Sequence, residues 1–175
     1  QALVEMAFDT DDDTVDAVLD AVAALRNTRW RVHTLARVLQ QMRSTFIRAL
    51  PASAQRRVAS IVASIDAERM RAAALIDLPH ELPAPLARRL AAIGRALRDP
   101  ALRIEVALHA RPEPPPPAQR ALLALALRAA PRRRAAALIA LAPALTGDRL
   151  EAAFDAAREL AGPDAAAAAM TRVAA

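Results

Sequence analysis

The feature that most constrains the fold of this chain is a pattern of apolar residues that recurs at a nearly fixed spacing. In the second helix of each expected unit, four core positions lie 32 residues apart, at Val58, Leu90, Leu122 and Phe154. The first helix of each unit repeats in steps of 31 or 32 residues, through Leu75, Ala107, Leu138 and Met170. A period of this size is typical of stacked repeats, in which each unit buries its apolar face against its neighbours.

The composition predicts that the repeating units are helical. Of the 175 residues, 55% are apolar and only 2% are aromatic, and the chain has three glycines. The thirteen prolines fall between the apolar helical stretches. Small apolar residues allow close helix packing, and so few glycines argue against a fold rich in strands or loops. We therefore expect an all-α fold, a right-handed α-solenoid of stacked antiparallel helix pairs with a period of about 32 residues.

The period divides the chain into a single helical-repeat domain over residues 1–175. The expected pairs and the start of the next are 1–28, 29–66, 67–99, 100–130, 131–162 and 163–175. In the second pair, apolar residues keep helical spacing from Arg29 to Ala49, so we expect a longer first helix there. Gly162 is expected to end one helix and Pro163 to begin the next. Neither end has the polar face of a terminal repeat, so we expect a fragment of a longer array.

Two phrases resemble HEAT-like α-solenoid repeats of the Ala-, Leu- and Pro-rich kind found as arms of large bacterial multidomain proteins. Residues 71–83 read RAAALIDLPHELP, residues 134–145 read RAAALIALAPAL, and Asp99-Pro100 is a turn. The likeness covers the chain from about residue 51 onward. Tetratricopeptide repeats fit less well, because their period is about 34 and their Trp, Gly and Tyr positions are missing here. The resemblance implies a sensor or adaptor arm beside a separate effector or NTPase module.

The sequence contains no catalytic motif. It has no Gly-rich phosphate loop, no H-E-x-x-H, no C-x-x-C and no cysteine. Asp77 and His109 occupy equivalent repeat positions and could form a loose metal site with His80, although a surface Asp–His contact is the ordinary alternative. We therefore expect no enzyme activity and no cofactor. Since no apolar run is long enough to cross a bilayer, we expect a cytoplasmic protein without a membrane partner or an evident small-molecule substrate.

Charge is distributed unevenly along the chain, whose 24 basic residues are all arginines and whose net charge is +5. Residues 1–25 hold seven acidic residues and no arginine, whereas residues 26–65 hold eight arginines and no acid. A series with a step of 32 would align in a stack as a ladder of arginines, namely Arg56, Arg88 and Arg120. This arginine ladder could follow a phosphate backbone, could bind an acidic protein, or could be a solvated face.

A second arginine series lies near the start of each first helix, at Arg31, Arg71, Arg103 and Arg134. These residues could pair with carboxylates such as Asp66 and Asp99. They could instead donate to carbonyl groups at the helix C-terminus of the neighbouring repeat. Either contact would make this series structural.

Trp30 is the only tryptophan, and on a helix it projects with Arg37 and Arg48, opposite the apolar stripe. Tryptophan with arginine is the composition of a binding hot spot. In the alternative, Trp30 folds back over the preceding helix around Leu25. We expect a protein-interaction, scaffold or sensor domain that binds another protein or another domain of the same longer chain, with nucleic-acid binding along the arginine ladder as the alternative. The candidate binding residues are Trp30, Arg37, Arg48, Arg56, Arg88 and Arg120.

Overall fold

The chain is built from α-helices that pack against one another. A computed structural model describes the secondary structure of residues 12–42 and 47–173, and the side chains of residues 14–42 and 47–160. Within these ranges there are nine α-helices and no strand, so the prediction of an all-α fold is confirmed. The helices are α1 (Asp12–Ala24), α2 (Thr28–Gln41), α3 (Ala52–Ala63), α4 (Glu68–Asp77), α5 (Ala84–Arg95), α6 (Pro100–Ala110), α7 (Pro116–Leu127), α8 (Pro131–Leu141) and α9 (Asp148–Val173). The side chain of Met170 and residues 1–11 of the first predicted pair lie outside the described part.

The helix starts reproduce the period of the sequence. The helices α3, α5, α7 and α9 start 32 residues apart, at Ala52, Ala84, Pro116 and Asp148. The helices α4, α6 and α8 start in steps of 32 and 31, at Glu68, Pro100 and Pro131. From α1 to α3 and from α2 to α4 the step is 40, which matches the longer second pair. The fold is therefore helical-repeat-like.

Several helices begin where the sequence supplies a start signal. Asn27 Oδ1 accepts a hydrogen bond from the backbone N–H of Trp30 at 3.1 Å, and Asp99 Oδ1 accepts one from Ala101 at 2.9 Å. Each bond satisfies a backbone N–H that has no partner within the helix. Pro100 and Pro131 stand at the first helical position, as predicted, where a missing N–H has no cost.

Two helices differ from the predictions at their ends. Helix α2 ends at Gln41, because Met42 has an extended conformation, and so it does not continue to Ala49. The apolar spacing does not reveal this end, since Met42, Ile47 and Leu50 are buried although they lie beyond it. Helix α9 continues from Asp148 to Val173, so the predicted break between Gly162 and Pro163 is wrong. An interior proline costs about 3 kcal/mol, but the alanines that follow it are the strongest helix formers.

Residues 1–96 form one compact unit, here called the first unit. Within it, α1 packs on α3, α3 on α5 and α2 on α4. The largest side chains of its core are fully buried and come from several helices and one connection: Leu19, Leu35, Leu39, Ile65 and Leu86. The repeat positions Val58 and Leu90 are also buried, so the sequence pattern correctly identified this core.

Residues 97–175 form the second unit. Here α6 packs on α8 and α7 on α9, while α7 and α9 also contact α8. Its core includes Ile104, Leu138 and Leu141, with Leu122 partly buried against them. The repeat boundaries proposed from the sequence stay predictions. In the part of the chain that is described, no helix combines the length and the apolar content needed to span a membrane.

Candidate binding surface

Helix α2 has one buried face and one exposed face. Its buried residues are Val32, Leu35, Ala36, Val38 and Leu39. Its exposed residues include Arg29, Trp30, His33, Arg37 and Gln40. At about 100° per residue, these five fall within an arc of roughly 100°. We use the term α2 surface for the four residues Arg29, Trp30, His33 and Arg37, which join one aromatic ring to two guanidinium groups and an imidazole.

Trp30 is the aromatic residue of the α2 surface and is 63% exposed. Its ring meets the ring of His33 edge to face, with 6.4 Å between the centroids and 74° between the planes. Arg29, Trp30 and His33 line a surface cavity of about 340 Å³. The alternative in which Trp30 is covered by folding back around Leu25 is therefore wrong. Asn27 caps the N-terminus of α2, which begins at Thr28, two residues before Trp30. This start explains why Trp30 lies in the first turn of the helix.

Three arginines of the second series hold backbone carbonyl groups. Arg31 donates through Nε and Nη2 to Leu25 O at 3.0 and 2.6 Å. Arg71 makes the same two bonds to Ile65 O at 2.8 and 2.5 Å, and Arg134 donates through Nε to Ala129 O at 3.2 Å. Each acceptor directly follows the preceding helix or lies two residues beyond its end. The carbonyl alternative is therefore confirmed for these three, and their contacts are structural.

Two other arginines pair with carboxylates of the first unit. Arg48 Nη2 lies 2.7 Å from Glu81 Oε2, and both side chains are more than half exposed. Arg57 pairs with Asp20, and its Nε lies 3.4 Å from Asp16 Oδ1, so it joins α3 to α1. Sequence reasoning did not foresee this role of Arg57. The available signal was the spacing of Asp16 and Asp20, which puts two carboxylates on one face of α1.

The arginine ladder consists of exposed residues at equivalent helix positions. Arg56, Arg88 and Arg120 are each the fifth residue of their helix, in α3, α5 and α7. Among the residues that the structure describes, no carboxylate forms an ion pair with any of the three. Arg56 and Arg88 lie in the first unit, on helices that pack together, and Arg120 lies in the second. Their alignment as one track stays a prediction.

The described residues include no group of three or more His, Cys, Asp or Glu side chains that could hold a metal ion. Asp77 and His80 belong to the first unit and His109 to the second. No protein-family model, no curated protein and no solved structure matches this chain significantly. Function must therefore be inferred from the exposed residues and their contacts.

Proposed function

We propose that this chain is a non-catalytic protein-interaction domain of the HEAT-like α-solenoid type, built from stacked antiparallel helix pairs. The architecture is supported by the regular spacing of the helix starts and by the packing within each unit. There, helices that are two apart in the sequence contact each other. Stacked repeats present extended surfaces suited to binding. We propose a scaffold or sensor role, with another protein or another domain of a longer chain as the partner.

The exposure of Trp30 carries this proposal. In the described chain, Trp30 at 63% and Ile139 at 46% are the large apolar side chains that remain exposed. Covering the exposed part of an indole would contribute about 4 kcal/mol, at roughly 25 cal/mol per Å². Tryptophan and arginine are also the residues most enriched among those that dominate binding energy at interfaces. An interface centred on the α2 surface therefore explains why this side chain stays outside the core.

The proposal is tested by selection from a displayed library of random peptides on the full chain, with counter-selection on Trp30→Ala. Peptides that bind the wild-type chain and lose binding to the variant are the expected result. Since Trp30 is exposed, the substitution should leave the circular dichroism and thermal unfolding unchanged, which must be checked first. A library that yields no peptide dependent on Trp30 would refute the α2 surface as an interface.

The second candidate function is nucleic-acid binding along the arginine ladder. It is favoured by the exposure of Arg56, Arg88 and Arg120 and by their lack of ion pairs with described carboxylates. Binding to a phosphate backbone releases counterions, so affinity should fall steeply with salt and be nearly independent of base sequence. We expect a mobility-shift titration at two salt concentrations to decide between the candidates. Salt-sensitive binding that the triple Arg→Glu variant of the ladder abolishes would favour nucleic acid over protein.

We propose neither an enzyme activity nor a cofactor. A bacterial origin and a cytoplasmic location are further proposals. The likeness of residues 71–83 and 134–145 to repeats of bacterial multidomain proteins supports the first, and the lack of cysteine is compatible with the second.

A further inference from the structure

The charge of the α2 surface points to the chemistry of its partner. We infer that the α2 surface binds an acidic peptide segment of a partner protein, with an apolar side chain against Trp30 and a carboxylate against Arg37. This inference rests on the proposed protein-interaction function and adds the class of ligand. It is carried by three observations: the absence of a described ion pair at Arg29 and Arg37, the cavity beside Trp30, and the geometry of α2.

The first observation is that three nearby arginines find partners within the chain, whereas those of the α2 surface have no described ion pair. Arg31 donates to Leu25 O, Arg48 pairs with Glu81, and Arg57 pairs with two aspartates of α1. Among the described residues, no carboxylate pairs with Arg29 or Arg37. Residues 26–65 contain no acid that could neutralise them locally. A ligand that supplies carboxylates would complement this excess of positive charge.

The second observation is that the apolar and cationic groups are adjacent. Arg29 and His33 line the cavity of about 340 Å³ together with Trp30. A cavity of this size admits one side chain and has the volume of a small ligand pocket. Trp30 contributes an aromatic side chain to the lining, and Arg29 contributes a cationic one. An apolar residue flanked by carboxylates therefore fits this cavity better than a purely apolar or a basic segment.

The third observation is the distance between Trp30 and Arg37, which are seven residues apart on the same side of α2. At 1.5 Å per residue, this separation is about 10 Å along the helix axis. An extended peptide advances about 3.3 Å per residue, so three residues cover the same length. The expected ligand therefore carries a large apolar residue and, three positions away, an aspartate or glutamate.

A nucleic-acid strand fits the α2 surface less well than an acidic peptide. Proteins that bind single strands combine several stacking aromatics with a long basic groove. The α2 surface offers one indole and spans only about 12 Å. A strand would therefore find a single stacking platform and few cations, whereas a peptide with two anchors would use each of these groups.

The decisive experiment examines peptides selected on the full chain and then titrates one of them by the fluorescence of Trp30, the only tryptophan. The expected peptides are acidic, with a carboxylate three residues from a large apolar residue. With a synthetic peptide of this kind, we expect saturable quenching or a spectral shift. Arg29→Glu and Arg37→Glu should each raise Kd at least about tenfold, since like charges would face each other.

Arg95→Glu is the matched control, because Arg95 is also exposed, also lacks a described ion pair, and lies outside both the α2 surface and the arginine ladder. Its Kd should stay within about twofold of the wild-type value at the same salt concentration. Peptides that depend on Trp30 but are neutral or basic would overturn the acidic-ligand inference and leave the proposed function standing. The inference would also fail if Arg37→Glu bound as well as wild type, or if a twelve-nucleotide oligothymidine bound as tightly as the peptide. A failure to select any peptide dependent on Trp30 would instead overturn the proposed function itself.

Discussion

At the scale of single residues, the arginines divide by what each guanidinium contacts. Three side chains donate hydrogen bonds to a backbone carbonyl that follows the end of a helix, namely Arg31, Arg71 and Arg134. Such a carbonyl has no acceptor role within the helix, and leaving it without a donor would lower the free energy of unfolding. A guanidinium suits this task because it offers parallel donors and always keeps its charge. Arginines with an internal acceptor therefore belong to the fold, and those without one are the better candidates for binding.

Replacing Arg71 by methionine should lower the free energy of unfolding by about 1 to 3 kcal/mol, because Ile65 O would lose both donors in a partly buried place. Arg69→Met is the matched control, since Arg69 lies on the same helix and is exposed. It should change the stability by no more than about 0.5 kcal/mol. Urea unfolding followed by circular dichroism measures both variants. Equal stability of the two would show that the contact of Arg71 with Ile65 contributes nothing.

At the scale of helices, the sequence periodicity predicted most of the helices. It did not predict the end of a helix where no glycine or proline follows the last helical residue. The starts at Pro100 and Pro131 were predictable because proline at the first helical position needs no hydrogen-bond partner. The end of α2 at Gln41 was not, since neither glycine nor proline follows it and apolar residues continue on both sides. The spacing of apolar and polar residues predicted which face of α2 is exposed. The exposure of Trp30 itself could be seen only in the three-dimensional structure.

The starts of α3 and α7 share a side-chain contact that the sequence analysis missed. Gln55 Nε2 donates to Leu50 O at 2.7 Å, and Gln119 Nε2 donates to Pro114 O at 3.0 Å. Both glutamines are the fourth residue of their helix, 64 residues apart in the sequence. Gln119 is buried, and its Oε1 accepts a bond from Arg149 Nη1 at 3.3 Å. The recurrence of Gln at this spacing was the signal that could have revealed the contact.

We therefore expect Gln119→Ala to lower the free energy of unfolding by about 1 to 3 kcal/mol. The carbonyl of Pro114 and the guanidinium of Arg149 would each lose a hydrogen-bond partner at a buried position. The neighbouring exposed Arg120→Ala should cost less than about 0.5 kcal/mol. Thermal unfolding of the full chain, followed by circular dichroism, compares the two. If Arg120→Ala proved the more destabilising, the network around Gln119 would not hold the start of α7.

At the scale of the whole chain, each compact unit has a core of its own. The first unit buries Leu19, Leu35, Leu39, Ile65 and Leu86 almost completely, and the second is built around Ile104, Leu138 and Leu141. In each unit, helices two apart in the sequence also contact each other, as neighbouring repeats do in a stack. Trp30 and the α2 surface lie entirely in the first unit. The candidate interface therefore draws only on helices of that unit.

This organisation predicts that a fragment of residues 1–96 folds without the remainder of the chain. A core of this size is enough for a single domain, since chains of about 60 residues can fold alone. We expect helical circular dichroism and one cooperative urea transition, seen equally in the fluorescence of Trp30. Leu35→Ala should lower the stability of the fragment by about 2 to 5 kcal/mol through the cavity it leaves, whereas the exposed Gln41→Ala should not. A gradual, non-cooperative transition would mean that residues 1–96 need the second unit to fold. If the fragment does fold and still binds the peptides selected on the full chain, the α2 surface is an autonomous binding site.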